Sequence, residues 1–428
     1  MIQYNVYLYN DFIGFFYKLN NEKIAFEFTS DYHEMLPRPI LGQYFEDNLD
    51  AVYKSSKRRY LPNFFDNLLP EGALKDKLIS IHNLNEYEPL EILSILGDDL
   101  PGAVTVKTEQ TQSVYKEKKD FPPFLEVEEN HLKSLSTDGL RFSLAGVQLK
   151  FSLVQKETTW TLPMKGDSGQ WIIKLAHPEH YSNVVENEFI TMTWAKQSGL
   201  NVPDFKLIRY GNIESLPVDF LDESSTIFSI KRYDRINERR LHQEDFAQVT
   251  NLAAKNKYDY KSYEDLAKLS YFILGEEGLI EYIKRLIFVF VSGNFDAHLK
   301  NWSLLYIQNN SQEIFEPCWS PVYDQVSTVM WPDLLTELAL TFMKTRQLYT
   351  ISHETMKTFY RKLISEVSEI SSIKLTADEL MEIHDQIIVK IKSEWSELKL
   401  LNEFSAQYEK SIIEHWSKVP FLKRYGNI

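Results

Sequence analysis

Two polar side chains stand five positions apart in a stretch that is otherwise largely apolar: Asp296 and Asn301. An aspartate can accept the proton of an attacking hydroxyl group, and an asparagine oxygen can hold a magnesium ion. On one turn of loop, both side chains would reach the same phosphate group. The apolar residues 286–291 precede the pair and a mainly apolar run, 302–306, follows it. The pattern predicts a polar loop between a buried element and a strand.

The spacing D-x-x-x-x-N is also that of the catalytic loop of protein kinases, in which the aspartate takes the hydroxyl proton and the asparagine binds magnesium. Alone it is a weak signal, since a polar loop between two buried elements contains such a pair often by chance. A second aspartate, Asp324, follows Asp296 by 28 residues. In kinases a second aspartate comes after the catalytic loop and binds magnesium. The three polar residues therefore stand in kinase order.

A lysine lies within a strand-like apolar run upstream, Lys174 in residues 171–175. A buried lysine needs an anionic partner, because an unpaired buried charge is costly. In kinases a strand lysine binds the ATP phosphates and a helix glutamate. Glu186 and Glu188 lie near the start of the next predicted helix, and we favour Glu188 as that glutamate. The alternatives are an edge-strand lysine that reaches solvent and a solvated acidic first turn that favours the helix dipole.

Two further segments fall where a kinase would need them. Residues 141–153 contain Ala145-Gly146 and then Lys150, which fits either a plain hairpin or a loop that covers nucleotide phosphates. With a single glycine, the hairpin is the better interpretation of this stretch alone. Residues 231–235 follow a predicted strand, at the position of a hinge between two kinase lobes, and residues 243–245 are expected to open a helix.

The composition is that of a globular protein, with 43% hydrophobic and 25% charged residues. The formal net charge of −14 argues against broad non-specific binding to nucleic acid. The one cysteine, Cys318, excludes an intrachain disulfide and fits a reducing cytoplasm. The N-terminal residues lack the pattern of a secretion signal, and every apolar run is far shorter than the ~20 residues that span a bilayer. We therefore expect a cytoplasmic protein without a membrane contact.

The length allows two or three domains of about 150 residues each. Residues 1–106 mix strand and helix patterns and are expected to form an α+β module, whose many aromatic residues favour a core over a ligand site. Residues 107–136 are polar, charged and closed by two prolines, as expected of an exposed connector. We assign residues 137–235 to a strand-rich lobe and residues 236–428 to a mainly helical lobe.

With these signals in order, the chain resembles the HipA family of serine/threonine kinase toxins. The segments that carry the resemblance are FSLAGVQLK, FDAHLKN and VYDQVS, together with FFDNLLPEG and LGDDLPGAV near the N-terminus. They occur in the family's order and extend over nearly the whole chain. The resemblance implies an α+β fold: a two-lobed protein-kinase-like fold with an N-terminal α+β subdomain and a mainly helical C-terminal lobe.

The resemblance also implies roles for individual residues. Asp296 is similar to the catalytic aspartate, Asn301 and Asp324 to the magnesium ligands, and Lys174 to the ATP-binding lysine. Ser143 matches the serine that these kinases autophosphorylate, which ejects the loop and silences the enzyme. A phosphate there would place roughly −1.5 to −2 charge beside the ATP phosphates and repel them. The whole ATP-binding set implied by the resemblance is Ala145, Gly146, Val147, Gln148, Leu149, Lys150, Lys174, Lys231, Arg232, Tyr233, His298, Leu299, Lys300, Asn301, Tyr323 and Asp324.

Two features depart from familiar patterns. Lys231 is basic where an acidic hinge residue is familiar, but adenine is held there through backbone groups, so its binding should survive. His298 follows the aspartate, unlike the H-R-D order of ordinary kinases. The geometry of the lobes should therefore not be copied from those enzymes.

The resemblance implies an ATP- and magnesium-dependent serine/threonine protein kinase that is the toxin of a toxin–antitoxin pair. Its implied substrate is an aminoacyl-tRNA synthetase, whose modification would halt translation. Its implied partner is a small, HipB-like DNA-binding antitoxin, through which most DNA contact would be made. Two alternatives remain open: a small-molecule or lipid kinase on the same scaffold, and a catalytically silent protein that binds an antitoxin or DNA.

Overall fold

The computed structural model describes residues 3–71, 88–97, 99–109, 149–156, 159–161, 169–175, 183–214, 221–236, 239–309, 314–333, 335–401 and 406–426. The chain divides into two compact units. The first unit comprises Met1–Val185, Asp204–Ala254 and Leu304–Glu316, and the second unit comprises Glu186–Pro203, Lys255–Ser303 and Pro317–Ile428. Ser143, the four residues from Ala145 to Gln148 and the predicted connector beyond residue 109 lie outside the described residues.

The first unit begins with a five-stranded antiparallel sheet in the order β4-β3-β2-β1-β5. Its strands are β1 (Gln3–Leu8), β2 (Asp11–Lys18), β3 (Ile24–Phe28), β4 (Tyr53–Lys54) and β5 (Val104–Glu109). Its short helices are α1 (Ser30–Glu34), α2 (Gln43–Glu46), α3 (Asn63–Asp66) and α4 (Pro89–Ile95). Residues 107–109, expected in the connector, instead belong to β5, because they continue its pairing with β1.

Aromatic side chains fill the core beside this sheet. Phe16 and Phe65 meet edge to face with ring centroids 4.7 Å apart, and Phe45 and Tyr53 meet at 4.6 Å. The three phenylalanines are buried. Edge-to-face pairs add to the free energy gained by burial. The aromatic-rich N-terminal module therefore forms a core, as the sequence predicted.

The second sheet of the first unit has six strands in the order β10-β7-β6-β8-β11-β9. They are β6 (Leu149–Lys156), β7 (Thr159–Thr161), β8 (Trp171–Leu175), β9 (Phe205–Arg209), β10 (Ile213–Glu214) and β11 (Thr226–Lys231). Trp171, Ile173 and Leu175 alternate onto a hydrophobic face. Successive side chains of a strand point to opposite faces, so Lys174 lies on the other face of the sheet. The predicted strand around Lys174 is confirmed.

Helix α5 (Val184–Gln197) follows β8 in the chain. The next elements are β12 (Arg235–Ile236), β13 (Arg239–Arg240), β14 (His242–Asp245) and α6 (Phe246–Val249). The expectation that residues 243–245 open a helix is wrong, because they lie in β14. Asp245 is the N-cap of α6, where its Oδ1 accepts a hydrogen bond from the Gln248 N–H at 2.9 Å. The helix begins directly after these residues, at Phe246.

Strand β14 belongs to a three-stranded sheet in the order β14-β15-β16, with β15 (Ser303–Asn309) and β16 (Ile314–Trp319). The second unit is mainly helical. Its long helices besides α5 are α7 (Tyr263–Ser292), α8 (His353–Ser368), α9 (Ala377–Leu401) and α10 (Ala406–Lys418). Residues 286–291, the predicted buried element, form the last turns of α7 and are at most 1% exposed. Among the described helices, none combines the length and apolar character needed to cross a membrane.

Candidate active site

The loop that carries Asp296 begins where α7 ends. Gly293 caps this helix with φ 67° and ψ 37°, a left-handed conformation that glycine adopts without a steric cost. A side chain at this position would also collide, because a Cβ atom would lie 2.5 Å from Cγ1 of Val329. Glycine therefore allows the buried helix to turn sharply into a polar loop.

Hydrogen bonds join this loop to the segment that follows Asp324. The N–H of Phe295 donates to Oγ1 of Thr328 at 2.9 Å, and the N–H of Thr328 donates to the carbonyl of Gly293 at 3.1 Å. The hydroxyl of Ser327 donates to the carbonyl of Ser292 at 2.8 Å. All these groups are buried. The two segments are therefore held in a fixed relation to each other.

Asp296 lies half-buried in the loop. Its N–H donates to Oδ1 of Asn294 at 3.1 Å. Its own Oδ1 accepts a hydrogen bond from the hydroxyl of Tyr258 at 2.7 Å. Donors of this kind orient a carboxylate and favour its ionised form. The geometry suits a side chain that takes a proton.

The structure brings Asn301 and Asp324 together across 23 positions of sequence: Nδ2 of Asn301 lies 3.4 Å from Oδ2 of Asp324. Asp324 has a φ of 53°, a left-handed conformation in which aspartate and asparagine occur more often than most residues. Its carbonyl lies 3.5 Å from Nδ2 of Asn294, the residue that also receives the Asp296 N–H. The two predicted magnesium ligands are thus neighbours beside the Asp296 loop.

The donor set of this pair fits magnesium. An amide oxygen and a carboxylate are hard oxygen ligands, and magnesium commonly uses one or two carboxylates with phosphate oxygens completing its shell. Oδ1 of Asn301 accepts a hydrogen bond from the His298 N–H at 3.0 Å and keeps a second lone pair. In the described parts of the chain, no group of three or more histidine, cysteine, aspartate or glutamate side chains could hold a metal ion. Binding of magnesium by Asn301 and Asp324 stays a prediction.

His298 and Leu299 support the loop from within. Their exposed fractions are 3% and 0%. The edge of the His298 ring meets the ring of Tyr258, with centroids 5.1 Å apart, and the Leu299 N–H donates to the carbonyl of Lys257 at 3.2 Å. Both side chains are packed inside the protein, and a contact of these residues with ATP stays a prediction.

Lys300 and Tyr323 are half-buried and lie close together. The hydroxyl of Tyr323 donates to the carbonyl of Lys300 at 2.8 Å and lies 2.5 Å from Oγ of Ser303. Tyr323 therefore links the Asp324 segment to the residues just after His298. Contact of either side chain with ATP stays a prediction.

In the first unit, Lys150 and Lys174 are direct cross-strand partners on β6 and β8. Lys174 is 3% exposed, and its Nζ lies 5.6 Å from the ring centroid of Phe228. Direct partners on neighbouring strands lie on the same face of the sheet, so the two lysines share a face. Contact of this pair with the phosphates of ATP stays a prediction.

The first two N–H groups of the predicted hinge already donate hydrogen bonds to carbonyl groups of the protein. The Lys231 N–H donates to the carbonyl of Asp204 at 2.7 Å, and the Arg232 N–H donates to the carbonyl of Gln170 at 2.8 Å. The hydroxyl of Tyr233 donates to the side-chain oxygen of Gln243. Adenine recognition by this segment would therefore need other backbone groups than these two N–H donors.

The side chain of Arg232 belongs to a buried ion-pair network. Its Nε and Nη2 each lie 3.0 Å from an oxygen of Asp234, and its Nη1 pairs with Asp99 of the N-terminal module. Nη1 of Arg235 donates to Asp234 at 2.8 Å. Burial disfavours the charge of Asp234, but the two guanidinium groups outweigh burial and lower its pKa to about 2. The guanidinium group of Arg232 is thus engaged in this network, and a contact of Arg232 with ATP stays a prediction.

Lys174 belongs to the first unit and Glu188 to the second, and their pairing stays a prediction. Glu188 is 0% exposed, so the alternative of a solvated acidic turn is wrong for this residue.

Sequence reasoning missed Tyr258, Asn294 and Thr328. Asn294 lies two positions before Asp296 and was within reach of the motif, but Tyr258 and Thr328 belong to no spacing rule.

Two family models match the chain: the HipA N-terminal domain over residues 4–107 and the HipA-like C-terminal domain over residues 142–395. The Sinorhizobium fredii protein named Putative kinase Y4dM is 32% identical over 427 residues, which cover 99% of this chain and 98% of that protein. The Shewanella oneidensis protein named Serine/threonine-protein kinase toxin HipA is 26% identical over 300 residues, 65% of each chain.

A solved complex of Shewanella oneidensis HipA with HipB and operator DNA contains a chain of the same fold. The TM-score is 0.72 and the identity 20%, over 99% of both chains. The predicted α+β, two-lobed kinase-like fold with its N-terminal subdomain is thereby confirmed. Because the C-terminal family model alone spans more than half of the chain, and a relative of 32% identity extends over nearly all of it, the chain belongs to the HipA family.

Proposed function

We propose that this protein transfers the γ-phosphate of ATP to a serine or threonine hydroxyl of a protein and is the toxin of a toxin–antitoxin pair. The observation that carries the proposal is the convergence of Asp296, Asn301 and Asp324 in one hydrogen-bonded site. The names of the relatives, a kinase and a serine/threonine kinase toxin, support the same chemistry.

Each side chain has a definite task in this proposal. Asp296 accepts the proton of the attacking hydroxyl, oriented by Tyr258 and by the loop. Asn301 and Asp324 hold magnesium, which neutralises charge on the phosphates when bound. Phosphoryl transfer needs mainly positioning and electrostatic stabilisation, and the Lys150–Lys174 pair would supply positive charge at the phosphates.

The partners follow from the family and stay proposals for this chain. The solved HipA neighbour is in a complex with HipB and operator DNA. We propose a small DNA-binding antitoxin of that kind here, and an aminoacyl-tRNA synthetase as substrate, so the protein would act in the cytoplasm. Autophosphorylation at Ser143 would silence the enzyme by placing negative charge near the ATP phosphates.

The test compares the wild type with Asp296→Asn after phosphatase treatment. Both are incubated with Mg-ATP, and mass spectrometry locates and counts the phosphate added to the protein. General-base catalysis contributes typically 10²–10⁴-fold, so we expect the variant to incorporate phosphate at least about 100-fold more slowly. Asp378→Asn is a matched control, because Asp378 is exposed in the first turn of α9 and should leave the rate unchanged.

The outcome separates the proposal from its alternatives. Phosphate on Ser143 in the wild type alone supports a self-silencing protein kinase. Transfer to sugars or lipids, with none to the protein or to a purified synthetase, would replace it by a small-molecule or lipid kinase. Failure to bind Mg-ATP in calorimetry would leave a silent protein that binds an antitoxin or DNA.

A further inference from the structure

We infer that Tyr258 is a positioning residue for Asp296, which it holds in the orientation and charge state needed for proton transfer. The inference rests on the proposed function, because it adds a residue to the same reaction. In that reaction the substrate oxygen bonds to the γ-phosphorus, its proton passes to Asp296, and the bond from the γ-phosphorus to the bridging oxygen of ADP breaks. Tyr258 keeps its own proton throughout and touches none of the reacting atoms.

The contact itself is well formed. The Tyr258 hydroxyl donates to Oδ1 of Asp296 at 2.7 Å, within the usual range for a hydroxyl and a carboxylate. A hydrogen bond to one oxygen fixes the rotation of the carboxylate and so the direction of the other oxygen. It also favours the ionised form, because the donor stabilises the negative charge. Both effects serve a group that must be deprotonated and correctly aimed before the substrate arrives.

Tyr258 is in turn held in place on several sides. The carbonyl of Lys257, its neighbour, accepts the Leu299 N–H at 3.2 Å. Nη2 of Arg346 donates to the carbonyl of Tyr258. The ring of Tyr258 packs against the edge of His298. Two of these contacts come from the loop of Asp296 itself, so the tyrosine and the loop form one packed structure.

Nearby tyrosines show what a different role looks like. Tyr263 is fully buried, and its hydroxyl donates to the carbonyl of Ala297 at 3.1 Å, so it supports the backbone of the loop. Tyr260 is 76% exposed. Tyr258 differs from both, because it is half-buried and its hydroxyl reaches a carboxylate oxygen. Its hydroxyl therefore acts on the chemistry of Asp296 and its ring on the packing of the loop.

The experiment removes the hydroxyl and keeps the ring. Tyr258→Phe and the control Tyr260→Phe are purified, phosphatase-treated and incubated with radiolabelled Mg-ATP, and the rate of phosphate incorporation into the protein is measured from pH 5 to pH 9. We expect Tyr258→Phe to be about tenfold slower at saturating ATP, the effect of losing one hydrogen bond to a charged group. The acid limb of its rate profile should move to higher pH, because the carboxylate loses a donor that stabilises its charge. Its KM for ATP and its Tm should stay at the wild-type values, and Tyr260→Phe should behave as the wild type.

If the wild type transfers phosphate, either of two results would overturn the inference about Tyr258 and leave the proposed function standing. One is a wild-type rate and pH profile for Tyr258→Phe. The other is a slower rate with an unmoved acid limb and a raised KM for ATP, which would indicate a merely structural tyrosine. No phosphate transfer by the wild type would overturn the proposed function first and this inference with it.

Discussion

Two aspartates of this protein lie in contrasting surroundings. Asp234, in the first unit, is 4% exposed and is held by the guanidinium groups of Arg232 and Arg235. Asp296, in the second unit, is half-buried and accepts a hydrogen bond from the Tyr258 hydroxyl. A guanidinium group cancels the charge of a carboxylate, whereas a hydroxyl group leaves it in place. The first arrangement suits structure, and the second suits chemistry.

The same contrast separates two kinase-like segments of the chain. The sequence suggested nucleotide-binding residues both in KRYDR, 231–235, and in FDAHLKN, 295–301. The arginines of the first segment are used to pair Asp234 and Asp99. Asp296 and Asn301 of the second segment lie at a half-buried surface beside Asp324. Charged residues in a motif therefore have to be judged by the partners that the fold gives them.

The largest effect on stability should come from the paired side of this comparison. Asp234→Asn leaves two buried arginines without a full counter-charge, and breaking a buried ion pair costs about 3–5 kcal/mol. We expect the free energy of unfolding, measured in urea, to fall by that amount. Asp204→Asn is the control: Asp204 is 70% exposed and 3.7 Å from Lys231, and such surface pairs contribute about 0–1 kcal/mol. Equal stability of the two variants would show that the network is not structural.

In the candidate active site, Asp324→Asn should remove most of the activity and leave the fold intact. Removing the charge of a proposed magnesium ligand should slow phosphate incorporation by at least about 100-fold. Asparagine tolerates the φ of 53° at this position, so we expect an unfolding free energy within about 1 kcal/mol of the wild type. Asp333→Asn, at an exposed position, is the charge-matched control. A variant that stays active, or that unfolds easily, would place Asp324 with Asp234 on the structural side.

The turn that delivers Asp296 should be sensitive to a single methyl group. Gly293→Ala forces alanine into a left-handed conformation and brings its Cβ against Val329, which together should cost about 1–3 kcal/mol of unfolding free energy. The double variant Gly293→Ala, Val329→Ala removes the collision. If the collision matters, the double variant should be more stable than expected from adding the changes in unfolding free energy of the two single variants. Strict additivity would mean that packing against Val329 does not matter.

A smaller effect concerns a buried acid in the first unit, Glu244 of β14. Its Oε1 accepts hydrogen bonds from the Gln43 N–H at 2.8 Å and from the Tyr306 hydroxyl. Burial raises its pKa from 4.5 to about 8. A folded-state pKa above the unfolded value means that the protonated acid stabilises the fold at low pH. This contribution is lost as pH rises from about 4.5 through about 8.

Glu244→Gln should therefore flatten the fall in stability on the alkaline side. Burial lowers the pKa of His242, a neighbour on β14, from 6.5 to about 4, and that histidine affects stability only below about pH 6.5. Between pH 6.5 and pH 8, we expect the wild type to lose about 1–2 kcal/mol more than Glu244→Gln. Urea unfolding at both pH values measures the difference. Glu354→Gln, at a position 69% exposed, should follow the wild type, and a parallel loss in Glu244→Gln would contradict a protonated Glu244.

Much of the fold followed from local patterns. A strand-like apolar run identified β8. The sequence Thr376-x-x-Glu379 has the pattern of a capping box and marks the start of α9, where the Glu379 N–H donates to Oγ1 of Thr376 at 3.2 Å. The helix expected to open at residues 243–245 begins only at Phe246, because the cap of α6 is also the last residue of β14. Local rules identify elements well and their first residues less well.

The candidate site was predictable where its residues follow a recognisable order, as Asp296, Asn301 and Asp324 do. Asp296 and Asn301 share a loop and a recognisable spacing. Tyr258 lies 38 residues before Asp296, and its contact depends on how the tertiary fold places the start of the segment Lys255–Ser303. A tyrosine in a polar, aromatic segment carries no mark of such a partner. Supporting residues of this kind need a structure to be found.

The pairing of β1 with β5 also determines when the N-terminal sheet can be completed during synthesis. Strand β1 lies between β2 and β5, and Leu8 is opposite Val104, so one edge of β1 has to wait for 96 further residues. At about 5–20 residues per second, the ribosome needs roughly 5–20 s to supply them. During that interval β1 presents an unpaired edge of the kind that other nascent chains can join. Strand β5 thus protects the edge of β1. A nascent chain stalled before residue 104 would keep this edge open.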